Sequence, residues 1–146
     1  MTDPRTTIKS PAWLKEMNEQ LMASHRDELS VLTVVGRRSG EPRRTPLSVY
    51  EHAGQRYIVG GFPAADWIRN VRAAGAGVLA VGDRSENVRI VEVPAADAEL
   101  VLRAWPSFVP QGVEMMRDAG VVTDTTPDAL AEVVGICPVF RLDAVK

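Results

Sequence analysis

The chain has 146 residues, 45% of them hydrophobic and 25% charged, with a formal net charge of -2 and a pI near 5.7. That length suits one domain over residues 1–146 with a real core, and the acidic balance argues against a broad nucleic-acid-binding face. No apolar run approaches the roughly 20 residues of a membrane-spanning helix, and "MTDPRTTIKS" lacks the apolar core of a secretion signal. The lone Cys137 admits no internal disulfide and is expected to be buried and inert, which suits a reducing cytoplasm.

Along the chain, Ser10-Pro11 predicts an N-cap followed by proline at the first helical position. Trp13, Leu14, Met17 and Leu21 mark one face of a helix over about 11–24, expected to pack against or lid the rest. The run "SVLTVV" is continuous, apolar and β-branched, as in a strand buried on both faces. After the turn "RRSGEP", "RRTPLSVY" alternates, with Thr45, Leu47 and Val49 on one side and Arg44, Ser48 and Tyr50 on the other. Pro46 places that strand at an edge or a bulge. "EHAGQ" makes a second hairpin leading into "RYIVGG".

Residues 64–74 carry Trp67, Ile68 and Val71 at helical spacing, with Arg69 and Arg72 turned away. "GVLAV" and "NVRIVEV" form a further hairpin around "GDRSE". Pro94 opens a helix to about Trp105, which "PSFVPQG" is expected to break before a short helix around "VEMMRDAG". "TDTTPDALAEVV" reads as a capped helix and "CPVFRL" as a closing strand. Five or six mostly antiparallel strands with helices to one side make an α+β fold, and a small closed barrel over about 30–143 would remove its edges.

Charge is unevenly spread. Between Gly36 and Arg44 four arginines oppose one glutamate, a local +3 on a chain that totals -2. Gly36 and Gly40 bracket Arg37, Arg38 and Ser39, a pattern that lets backbone N–H groups converge on an anion. Arginine forks and the serine hydroxyl add donors suited to phosphate or carboxylate. Two readings stand side by side here: a pocket for a small anion, and a solvated hairpin turn whose arginines serve solubility. Nucleic acid is not an expected partner, because no aromatic residues interleave with the charge. No P-loop, Rossmann glycine motif, metal-ligand pattern or nucleophile elbow occurs, and His25 and His52 sit in polar, surface-like settings.

"LTVVGRRSGEPRRTPL", then "DWIRNVRAAG", "VEV" and "PVFRL", resembles the deazaflavin-dependent nitroreductase family, best over residues 29–93. The resemblance implies a split β-barrel related to flavin-binding, pyridoxamine-phosphate-oxidase-like barrels. It also implies coenzyme F-420 (8-hydroxy-5-deazaflavin), with flavin mononucleotide as the alternative. The F-420 tail carries a phosphodiester and a run of glutamates. On this resemblance Arg37, Arg38, Ser39, Arg43 and Arg44, with Gly40 in the turn, hold the tail, and Thr45, Pro46, Leu47 and Ser48 line the start of the ring site. The helix carrying Asp66, Trp67, Ile68, Arg69 and Asn70 would border the coenzyme. Read without the resemblance, Trp67 is a core anchor. Many relatives carry a Ser-Lys-Gly-Gly loop before that helix; here Gly60, Gly61 and Phe62 form a shorter loop without lysine.

Tyrosines that shape catalysis in a well-known member are replaced here by "WPSFVPQG". Trp105 and Phe108 there could stack on a flat acceptor or simply pack the core, with Ser107 offering a hydrogen bond. The implied activity is hydride transfer from reduced F-420 to a small hydrophobic acceptor, an enone, quinone or nitro compound. The alternative is a non-catalytic barrel that carries a deazaflavin, flavin, tetrapyrrole or fatty acid. Flavin-binding relatives of the barrel often dimerise, so a homodimer is also open.

Overall fold

The structure, a computed structural model, describes residues 3–24 and 29–145. His25 therefore lies outside the described residues. Strand β1 (Ser30–Val35) pairs antiparallel with β2 (Pro42–Pro46) on one side and with β5 (Ala76–Val81) on the other. Four more strands, β3 (Tyr50–His52), β4 (Gln55–Val59), β6 (Arg84–Glu92) and β7 (Val139–Ala144), complete one sheet in the order β2-β1-β5-β6-β7-β4-β3. Among the described residues all pairings are antiparallel, and the sheet has seven strands, more than the five or six expected.

The two edge strands, β2 and β3, are neighbours in sequence, separated only by residues 47–49. In a flat sheet they would lie about 29 Å apart, whereas three linking residues reach at most about 14 Å. The sheet must therefore curl. It stops short of the closed barrel expected, since β2 and β3 pair with β1 and β4 and not with each other. The fold is a curled antiparallel half-barrel with helices.

The predicted single strand over 43–50 is in fact broken into β2 and β3. Pro46 sits opposite Val31, and the N–H of Leu47 still donates to the carbonyl of Ser30 at 2.9 Å in the same register, so the pairing with β1 stops only there, where the chain leaves for β3. Pro42 and Pro46 both sit on this edge strand, as a proline-bearing strand should.

Side chains on the two faces of the sheet feed separate cores. One gathers Leu32 and Val34 of β1, Ile58 of β4, Leu79, Val88, Ile90 and Phe140 around Ile68 and Val71 of helix α2 (Asp66–Ala74). Residues of β1 and β4 meet there although three strands separate them, so this is the concave face. The other core joins Val59 and Val139 to helices α3 (Ala95–Phe108), α4 (Pro110–Asp118) and α5 (Pro127–Ala131). Adjacent residues Ile58 and Val59 enter opposite cores, as strand alternation requires. Helices thus flank both faces, where one side was expected.

Two local expectations also change. Helix α3 continues through Pro106 to Phe108, with the N–H of Val109 donating to Trp105 at 2.8 Å. Proline forfeits a single bond in a terminal turn that buried Leu102 and Trp105 already anchor. Helix α1 (Ala12–Ala23) forms where expected, with Pro11 rather than Ser10 at its N-cap, but no residue of it is buried. Cys137 is buried as expected, and burial pushes its thiol up to about 12.

Candidate functional site

The basic corner is built by the hairpin from β1 to β2. Its turn is closed by its own backbone: Gly36 N–H donates to Glu41 O at 2.8 Å and Gly40 N–H to Gly36 O at 2.9 Å. Gly40 adopts φ 72°, the left-handed region that glycine enters at little cost. At Gly36 a Cβ would stand 2.8 Å from Ser39 Oγ and 3.4 Å from Arg43 Cγ, so only glycine lets these side chains fold over the turn. Ser39 Oγ in turn accepts the N–H of Glu41 at 3.1 Å. The backbone donors of Gly36, Arg37, Gly40 and Glu41 are consequently spent inside the fold. The glycines close a turn more than they open an anion nest, and side chains carry the charge outward.

Helix α2 supplies the second wall. Asn70, the one buried polar residue among the described residues at 6% exposure, directs its amide oxygen at Arg37. That oxygen accepts the Arg37 backbone N–H at 3.1 Å and Nη1 at 2.8 Å. Arg37 Nη2 also pairs with Asp66 Oδ1 at 3.3 Å, at the start of the same helix. Arg37 is therefore a strut that ties the turn to α2, whereas Arg38, Arg43 and Arg44 are exposed.

Register places Arg43 opposite Val34 and Thr45 opposite Leu32, on the concave side of β2, with Arg44 opposite Thr33 on the alternate side. Because β2 is an edge strand, a long side chain from either side reaches the rim. The result is a recess of about 450 Å³ lined by the turn, β2 and α2. The structure brings together Arg37, Arg38, Ser39, Arg43, Arg44, Thr45, Asp66, Trp67 and Asn70, all expected from sequence, with Gly36 and Lys15. Lys15 comes from α1 and was missed, since nothing in a solvated helical lysine signals a partner more than 20 residues away. Five cations thus converge against one carboxylate.

Other expected site residues lie elsewhere. Ile68 is fully buried, packed against Gly60 and beneath the recess wall. Pro46 is the last residue of β2, Leu47 and Ser48 lie in the link to β3 with Leu47 packed on the concave core, and Gly40 and Arg69 are exposed without lining the recess. Gly60, Gly61 and Phe62 follow β4, where Gly60 N–H donates to Pro138 O at 2.8 Å and Cys137 Sγ lies 3.8 Å from Gly61 O. Trp67 is half-buried, its ring meeting Phe140 at 6.3 Å and 61°. Trp105 is a core residue, while Phe108 is 43% exposed and meets Tyr50 edge-on at 5.2 Å. Neither lines the recess.

A second recess of about 420 Å³ opens at the other end of β1, beside Ser30. Its arginines, Arg56 and Arg84, are balanced by Glu51 and Glu86, and Arg56 is hydrogen-bonded to Glu86. Of these two recesses, the first alone carries uncompensated positive charge.

A curled antiparallel half-barrel with flanking helices defines a class by its architecture, the α+β split barrels. Within it, a model of the F-420H(2)-dependent quinone reductase family matches residues 13–125. The chain belongs to that family: it is a deazaflavin-dependent reductase, and its coenzyme is F-420. Solved structures share the fold. An F-420-H2-dependent reductase (FDR-A) is 22% identical, with a TM-score of 0.57 over 79% of this chain and 93% of that one. A domain-swapped dimer is 22% identical, with a TM-score of 0.56 over 90% and 97%. A conserved hypothetical protein from Mycobacterium tuberculosis is 17% identical, with a TM-score of 0.52 over 99% and 87%. Curated proteins offer no match. Among the described residues, no helix is long and apolar enough to cross a membrane.

The donor set fits F-420. A tail with a phosphodiester and several carboxylates would need cations spread along a groove, and the recess is lined by Lys15, Arg38, Arg43 and Arg44, with Arg37 held in place by Asn70.

Proposed function

We propose that the recess between the β1–β2 turn and α2 holds the anionic tail of F-420, and that the enzyme reduces a small hydrophobic acceptor, an activated C=C, a quinone or a nitro group. One observation carries this reading: five cations face one carboxylate in a single recess of an acidic chain.

When bound, F-420 supplies a hydride donor at its deazaflavin ring. The chain's own residues bind and orient. Arg38, Arg43 and Arg44 present exposed guanidinium groups to phosphate and carboxylate oxygens. Asn70 and Asp66 fix Arg37 so that the turn does not shift when the tail enters. Trp67 gives the recess an apolar wall, and Thr45 offers a hydroxyl where the recess runs into β2.

Titration of the purified protein with F-420 tests the reading. We expect a micromolar or tighter dissociation constant that weakens steeply with salt. Flavin mononucleotide binding in its place, or no binding of F-420, would overturn it. A panel of quinone, enone and nitroarene then reads the acceptor class from F-420 oxidation. Coenzyme binding with no turnover on any of them would favour a non-catalytic carrier. A cytoplasmic, homodimeric enzyme completes the proposal; the structurally similar domain-swapped dimer supports the pairing, and light scattering checks it.

A further inference from the structure

Helix α1 is the one described α-helix with no buried residue, yet it adds a side chain to the anion recess. Trp13 is 53% and Met17 38% exposed, and no side chain caps its N-terminus. A helix of 12 residues is marginal by itself in water, so its position depends on what it packs against. That surface is β2, the edge strand bearing Arg43 and Arg44. Lys15 lines the same recess as those arginines, a like charge beside them. Without an anion the contact is repulsive, and with one between them the same groups attract a shared counter-charge.

We propose that Lys15 is a binding residue for the acidic tail of the coenzyme, and that filling the recess clamps α1 onto β2. The inference rests on the reading of the recess given above. Coupling of this kind is reciprocal: the tail favours the docked helix as much as the docked helix favours the tail. The sign reversal makes α1 a reporter of occupancy. It also gives the chain a fifth cation on a segment that can move aside for coenzyme entry and exit.

The test combines binding with amide exchange. F-420 affinity is measured by fluorescence for the wild type, for Lys15→Gln, and for Lys9→Gln as an exposed lysine outside the recess. Hydrogen–deuterium exchange over residues 12–23 is followed with and without coenzyme. We expect F-420 to slow exchange in α1 about fivefold or more in the wild type. Lys15→Gln should bind about three- to tenfold more weakly and lose that protection, with an unchanged melting temperature. Lys9→Gln should match the wild type. If the wild type binds F-420 but Lys15→Gln binds equally well, or α1 exchange ignores the coenzyme, the clamp is wrong and the assignment of the recess stands. If the wild type does not bind F-420, the assignment itself falls and the clamp with it.

Discussion

The amide oxygen of Asn70 accepts two hydrogen bonds from one residue, the backbone N–H of Arg37 at 3.1 Å and its Nη1 at 2.8 Å. A single buried side chain on α2 thereby sets both the backbone of the basic turn and the direction of its first arginine.

Removing that acceptor separates two roles of the residue. Asn70→Ala strands a partly buried N–H and should cost about 1–3 kcal/mol of stability, read from thermal or urea unfolding. Asn70→Asp keeps an oxygen for Arg37, so stability should largely survive. It also adds a negative charge to the recess wall, and F-420 binding should weaken about tenfold or more. Equal loss of stability in both variants would mean that shape and not hydrogen bonding matters at this position.

The exposed arginines make the opposite prediction. Arg38→Ala and Arg44→Ala should leave the melting temperature within about a degree, since neither side chain is buried. Each should weaken F-420 binding by up to about 1.5–3 kcal/mol, and less at high salt. Isothermal titration at two ionic strengths checks both points.

Adjacent glycines after β4 should respond differently to alanine. At Gly60 a Cβ would lie 2.5 Å from Ile68 Cδ1 and 2.9 Å from Pro138 Cγ, both in a packed interior. Gly60→Ala should destabilise by about 1–3 kcal/mol. At Gly61 the nearest atom is Met116 Sδ at 3.2 Å, on a side chain that adapts readily. Gly61→Ala should stay within about 1 kcal/mol of the wild type.

Cys137 should resist thiol reagents in the native state, because its thiol is buried and held protonated up to about 12. An unfolded cysteine ionises near pH 8.5. The folded value is raised, so the contribution to stability is complete below about 8.5 and is lost as pH rises toward about 12. Denaturant midpoints should fall across that window in the wild type, and less steeply in Cys137→Ala.

Local patterns carried the elements and the chemistry of the corner. Alternation and β-branched runs located β1 and the β5–β6 hairpin, helical spacing located α1 and α2, and four arginines around two glycines marked the basic corner. These signals lie within a few residues of one another and depend on backbone propensity and charge. The break after Pro46 was half-visible: the proline marked an edge, but where the pairing with β1 stops, at the bond from Leu47 to Ser30, required both strands in place. Pro106 misled, because its usual cost was outweighed by buried Leu102 and Trp105, which sequence shows only as apolar letters.

The amino-acid sequence by itself determined that positive charge would gather at one hairpin corner of an acidic α+β chain. Only the tertiary structure decided which partners completed it. Curling a seven-stranded sheet brings its sequence-adjacent edges within reach of one short link, lays α2 against the turn, and sets α1 on the edge strand. Asn70 thus became a strut for Arg37, and Lys15 a fifth cation, through contacts between residues about 20 to 30 positions apart. No local pattern encodes such distances, because they follow from how the whole sheet closes on its core.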